Sequence, residues 1–150
     1  MRILLIVLLT LFVGGTYMVA GILKIAAPQQ FLLDVIGFQL LPYPLAWITA
    51  FFLPWLELFC ACALFVRRLH RGAAAWLALL SSAFILSLMV AEVRGLDLAC
   101  GCFGDWLVFP NLATHLLYNS ALVVASLVLL LEASVARKNT NPNPPTAQPR

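Results

Sequence analysis

Charge is scarce in this sequence. Asp, Glu, Lys and Arg make up only 10% of its 150 residues, while 63% are hydrophobic and the mean hydropathy is +1.01. That balance excludes an ordinary water-soluble domain and indicates a membrane protein. Other absences narrow the chemistry. There is no H-E-x-x-H, no phosphate-binding glycine loop and no pair of intramembrane histidines for haem, which argues against hydrolase, nucleotide and haem functions. No basic groove with interleaved aromatics offers a site for nucleic acid. The ten-residue alternation of a membrane barrel strand is missing as well.

What is present is a set of long apolar runs, at residues 3–23, 45–66, 73–93 and 112–133. Each is close to the ~20 residues a helix needs to cross ~30 Å of hydrocarbon. Backbone groups in lipid must bond to one another, so the runs are expected to be helices and the fold class is all-α: an integral membrane bundle of four transmembrane helices. The first run, with Arg2 before it and small residues after, also has the outline of a signal peptide. It continues through Tyr17, Met18 and Val19 without a polar cleavage region, which favours a retained helix. The bundle is assigned to residues 1–136, and the polar, proline-rich residues 137–150 to a disordered cytoplasmic tail.

Lys and Arg in the short connections set the orientation. Arg2, the "RRLHRG" link with Arg67, Arg68 and Arg71, and the tail with Arg137, Lys138 and Arg150 fall on one side. The opposite connections hold only Lys24 and Arg94, together with Asp34, Asp97 and Asp105. Both termini are therefore expected in the cytoplasm, and the first and last connections outside it, which for a bacterial inner membrane means the periplasm. Disulfides persist there.

The first outer connection, "KIAAPQQFLLDVIGFQLLPYP", is too apolar for a free loop. Pro28 suits a helix start and Gly37 a helix end. Phe31, Leu32, Val35 and Ile36 share one side, with Gln29, Gln30 and Asp34 on the other, so a short interfacial helix is expected. Two prolines, Pro42 and Pro44, should hold off the next helix until residue 45. Pro54 should kink that helix. Ala74, Ala78 and Ser82, and likewise Ala121 and Ala125, are read as small-residue packing stripes.

Cys100 and Cys102 flank Gly101 in the last outer connection. A disulfide across a single residue closes a strained ring, and glycine is the residue best able to bend for it. Strain makes a disulfide easier to reduce, so the pair suits exchange better than stapling. A static disulfide or two thiols in a turn is the structural alternative. Cys60 and Cys62 would complete a four-thiol metal site, but residues two apart on a helix point ~200° apart. They also lie ~22 Å below the outer surface at 1.5 Å per residue. They are read as packing residues, with no metal assigned.

Glu57 lies near mid-membrane, where a carboxylate needs a partner, and Lys24 is the nearest cation in depth. The pair is either structural or takes part in proton transfer or quinone contact. His115, about one turn into the last helix on the side of Cys100 and Cys102, is a candidate proton carrier, with simple solvation as the alternative. Asn119 is expected to bond between helices. A quinone, the one cofactor considered, would need a pocket lined by Trp55, Phe31 and His115.

Three segments then coincide in order: "AGILKIAAPQQF" at 20–31, "LPWLELFCACAL" at 53–64 and "CGCFGDW" at 100–106, followed by a final helix with Asn119. Together they resemble the methylamine utilisation protein MauE family, within the wider DoxX-like group of four-helix membrane proteins. Gly21, Lys24, Pro54, Glu57, Cys100, Gly101, Cys102, Phe103 and Gly104 match the motif positions; Cys60 and Cys62 stand outside the pattern. The resemblance implies an inner-membrane factor for maturing methylamine dehydrogenase, whose small subunit is a disulfide-rich client, beside a periplasmic thioredoxin-like partner. Cys100 and Cys102 would then act in thiol-disulfide exchange, the activity of a thiol-disulfide oxidoreductase. The alternatives are a quinone-coupled thiol oxidoreductase of DoxX type and a non-catalytic scaffold for the thioredoxin-like protein.

Overall fold

The computed structural model describes residues 1–95 and 112–140. They form five helices: α1 (Arg2–Ala26), α2 (Pro28–Gly37), α3 (Tyr43–Leu64), α4 (His70–Val93) and α5 (Leu112–Thr140). α1, α3, α4 and α5 are each long and apolar enough to cross a membrane, and the chain is a multi-pass, all-helical membrane protein. The last helix runs on to Thr140, and residues 141–150 of the expected tail lie outside the described residues.

Local chemistry explains each break between helices. Pro28 has no N–H to continue α1 and disfavours helical geometry in the residue before it, so Ala27 takes φ −129° and ψ 64° and the chain turns there. Pro28 then opens α2, where a missing N–H costs nothing. α2 ends at Gly37 as the sequence suggests, but the left-handed residue beyond it is Gln39, at φ +50°. The expectation that two prolines delay α3 to residue 45 is corrected. Pro42 is its N-cap and Pro44 sits within the first turn, so α3 begins at Tyr43. α4 starts earlier than residue 73, at His70, whose N–H bonds Val66 O at 2.9 Å and whose Nδ1 lies 2.6 Å from Leu64 O. It ends at Val93, followed by Gly95 in the left-handed region at φ +64°.

α1 and α3 run antiparallel. A side chain added at Gly14 would meet the Phe65 ring at 2.9 Å, while one added at Gly21 would meet Pro54 O at 3.1 Å and Leu58 N at 3.4 Å. The Gly21 contact is with backbone, so the absence of a side chain there lets the two helices close. α4 lies along α5, and α2 packs on α1 and α3.

One half of the bundle is solid. Val13, Tyr17, Cys60, Ala61, Leu64, Ala73, Ala74, Leu77, Leu122, Ala125 and Leu129 form a single buried cluster at the end where α3 and α4 are joined. Tyr17 marks its upper limit, donating its hydroxyl to Leu77 O at 3.1 Å and sharing a hydrogen bond with Ser81 Oγ.

The small-residue stripes are only partly inward. Ala74 and Ala78 are buried, but Ser82 turns outward and bonds Ala78 O at 2.8 Å; Ser81, 1% exposed, takes the inward position. In α5, Ala121 is exposed and the packed face is Leu122, Ala125 and Leu129. For α4 the reason is geometric: at 3.6 residues per turn, a strict four-residue spacing drifts about 40° per step, so Ser82, the third position, has left the interface.

Candidate functional site

The other half of the bundle is hollow. All five helices contribute to a cavity of ≈280 Å³. Its apolar walls include Phe31 and Val35 from α2, Phe38 just past the end of α2, Leu53 from α3 and Phe84 from α4. Its polar groups are few: Lys24 and Glu57 between α1 and α3, Thr16, Tyr17, Thr49 and Ser87, and the cluster of His115, Tyr118 and Asn119 on α5.

Lys24 and Glu57 meet directly. The Lys24 Nζ donates to both carboxylate oxygens of Glu57, at 2.6 and 2.7 Å, in a pair whose residues are only 8% and 5% exposed. Side chains on a helix lean toward its N-terminus. In antiparallel α1 and α3 that tilt carries Lys24 down from the end of its helix and Glu57 up from the middle of its own, so the two charged groups converge. Gly21 and Pro54, one turn before each, are the point where the backbones approach. Lys24 also occupies the last turn of α1, where a cation is favoured by the helix dipole. The Phe31 ring of α2 lies 5.0 Å from Nζ and covers the pair with a cation–π contact.

His115 is buried, 8% exposed, and faces this cavity rather than solvent, which corrects the solvated alternative. Asn119 is also buried, but its Nδ2 bonds the His115 carbonyl of its own helix at 2.9 Å, not a neighbouring helix as expected. A buried amide one turn on can reach that carbonyl without any cross-helix partner. The link between helices comes instead from Tyr118, whose hydroxyl lies 2.9 Å from Thr16 Oγ1.

Of the expected site residues, Lys24, Glu57, His115 and Phe31 are thus brought to one cavity. Trp55 is not among its lining residues; it is 44% exposed on the outer surface of α3, because two positions from Glu57 on a helix points away from it. Cys60 is in the packed core, whereas Cys62 is exposed on the bundle's exterior and is not a core residue. Cys100, Gly101, Cys102, Phe103 and Gly104 lie outside the described residues. Their flanking helices, α4 and α5, both reach the hollow end: Ser87 and His115 line the cavity, and Arg94 Nη1 bonds Gln39 O at 3.0 Å just past α2.

Thr16, Thr49, Ser87, Phe38 and Phe84 were not singled out from the sequence. Hydroxyl residues within apolar runs are the signal that marks the first three, since each must find a polar neighbour in lipid. Phe38, the residue that follows α2, and Phe84 of α4 meet edge to face in the cavity wall, centroids 6.2 Å apart.

A family model described as methylamine utilisation protein MauE matches residues 1–132. Among curated proteins, a methylamine utilization protein MauE from Methylophilus methylotrophus is 39% identical over 94 residues, which is 62% of this chain and 50% of that protein. The chain thus spans about half the length of the curated relative it matches. No solved structure matches.

Proposed function

The chain belongs to the methylamine utilisation protein MauE family, and on that premise we propose that it is an inner-membrane maturation factor whose Cys100 and Cys102 carry out thiol-disulfide exchange on the periplasmic side. The client class is a disulfide-rich periplasmic protein, with the methylamine dehydrogenase small subunit as the specific case. A thioredoxin-like protein is the exchange partner. The observation that carries this reading is the extent of the family match, residues 1–132, which takes in Cys100-Gly101-Cys102 together with the Lys24 and Glu57 segments.

The exchange is balanced within the two proteins. A thiolate of the dithiol attacks one sulfur of the partner's disulfide, forming a mixed disulfide and releasing the partner's other sulfur as thiolate. The second cysteine then displaces the partner, leaving Cys100 and Cys102 oxidised and the partner a dithiol; two electrons and two protons have crossed, and the reverse direction oxidises a client.

Charge supports the orientation. Arg67, Arg68 and Arg71 are exposed at the solid end, whereas Lys24 at the hollow end is spent on Glu57. The free positive charge of the connections is therefore concentrated at the end assigned to the cytoplasm.

Cys100→Ser and Cys102→Ser variants, expressed in a host carrying the methylamine utilisation genes, test the reading. One of them should accumulate a mixed disulfide with a thioredoxin-like protein or client, seen as a reductant-sensitive band. Absence of any adduct from both, with the double variant still supporting growth on methylamine, would leave a docking scaffold as the function.

A further inference from the structure

At the solid end of the bundle, where the chain turns from α3 into α4, cationic and apolar side chains share one surface. We propose that this turn, with the outward face of α4 beneath it, binds the headgroup of an acidic phospholipid. The surface is remote from the cavity and does not depend on the exchange reading.

Arg67, Arg68 and Arg71 are all exposed there. Among the described residues no ion pair or side-chain hydrogen bond engages any of the three guanidinium groups. The first turn of α4 contains no acid, and Glu132, the acid of α5 at this end, is engaged in a contact of its own. Unneutralised cations at a membrane surface attract anionic headgroups, and a guanidinium can grip two phosphate oxygens through parallel N–H donors. The turn that carries them is fixed. Val66 N–H bonds Ala63 O at 3.0 Å, Leu69 and His70 N–H both bond Val66 O at 2.9 Å, and His70 Nδ1 lies 2.6 Å from Leu64 O. A backbone held in this way needs little further ordering on binding.

The apolar surroundings favour a lipid over a free anion or a soluble acidic partner. Phe65, Val66 and Leu69, interleaved with the arginines, are about half exposed, so hydrocarbon and headgroups meet at this turn. On the exposed face of α4, Arg71, Ala75 and Leu79 follow at four-residue steps, with Trp76 beside them. Trp76 lies about 9 Å below the start of α4 at 1.5 Å per residue, within the interfacial zone where tryptophan is favoured. The small Ala75 leaves a shallow recess between Arg71, Trp76 and Leu79 that suits an acyl chain. A side chain added at Gly72 would meet nothing within 4 Å, so a headgroup has room next to Arg71. A phosphate ion would use the arginines alone; a phospholipid uses both parts of the surface.

The test is native mass spectrometry of the full-length chain in detergent, titrated separately with dioleoylphosphatidylglycerol, dioleoylphosphatidylcholine and inorganic phosphate. Phosphatidylglycerol should bind saturably, at least tenfold tighter than phosphatidylcholine, and excess inorganic phosphate should not displace it. A triple variant, Arg67→Gln, Arg68→Gln and Arg71→Gln, should lose that preference, whereas Arg94→Gln at the other end of α4 should keep it. If the triple variant does not insert, Arg71→Gln alone should weaken phosphatidylglycerol at least threefold. Replacing all three by lysine keeps the charge that sets topology, and should retain a reduced preference because the planar fork is lost. Equal binding of the two lipids, or an undiminished preference in the glutamine variants, would overturn the proposal. Displacement by inorganic phosphate would assign the surface to a free anion and overturn it as well. A Cys100→Ser, Cys102→Ser double variant should bind lipid like the parent, which separates failure here from failure of the exchange reading.

Discussion

Gly21 lies against the carbonyl of Pro54, and one helical turn further along each chain direction Lys24 binds both oxygens of Glu57. The close backbone approach and the buried ion pair are therefore parts of one arrangement: the first brings α1 and α3 near enough for the second to form without water.

Removing one member of that pair should be worse than removing both. Lys24→Met or Glu57→Leu strands a buried charge, with an expected loss of about 3–5 kcal/mol. The double variant should recover much of the loss. Denaturant unfolding of the four proteins in detergent, read as a double-mutant cycle, checks this; additive losses would show that the two residues act independently.

Substitution at Gly21 should separate the helices. Gly21→Val places carbons against Pro54 O and Leu58 N, neither of which can rotate away, and should destabilise by about 1–3 kcal/mol. Gly15→Ala meets nothing within 4 Å and should be neutral. A thermal melt of both variants decides it, since equal effects would contradict the asymmetry.

The two helix cysteines should behave differently. Cys62 is exposed and Cys60 buried, so a maleimide in detergent should modify Cys62 first in a Cys100→Ser, Cys102→Ser background. Mass spectrometry of the modified peptide gives the ratio. Replacing both Cys60 and Cys62 with alanine should leave any adduct formed through Cys100 or Cys102 intact.

A green fluorescent protein fused after Arg150 should fluoresce, because the arginine-rich end is assigned to the cytoplasm. A fusion of alkaline phosphatase at the same place should be inactive. The opposite pattern would invert the orientation and remove the exchange chemistry from an oxidising compartment.

Much of this architecture is legible in the chain. Uninterrupted apolar runs required helices, Pro28 required the corner at Ala27, and the same segment's two-sided pattern required α2, which buries Phe31 while Gln29 and Gln30 stay exposed. Element starts were less legible at Tyr43 and His70, where first-turn tolerance of proline and the turn ahead of His70 moved the boundary.

The depth of Lys24 and Glu57 followed from counting residues, and so did the divergence of Cys60 from Cys62. Which side each helix turns to its neighbours did not. In a membrane both the packed face and the lipid face are apolar, so hydropathy carries little information about rotation. Ser81 rather than Ser82, Leu122 rather than Ala121, and the inward turn of His115 go with cross-helix contacts such as Tyr17 with Leu77 O and Ser81 on α4 and Thr16 with Tyr118 on α5. The sequence by itself determined that there are four spans, how they are ordered and which polar residues lie at comparable depth. Only the tertiary structure decided that Lys24, Glu57 and His115 share one cavity, because that depends on helix rotation, and rotation is set by cross-helix packing.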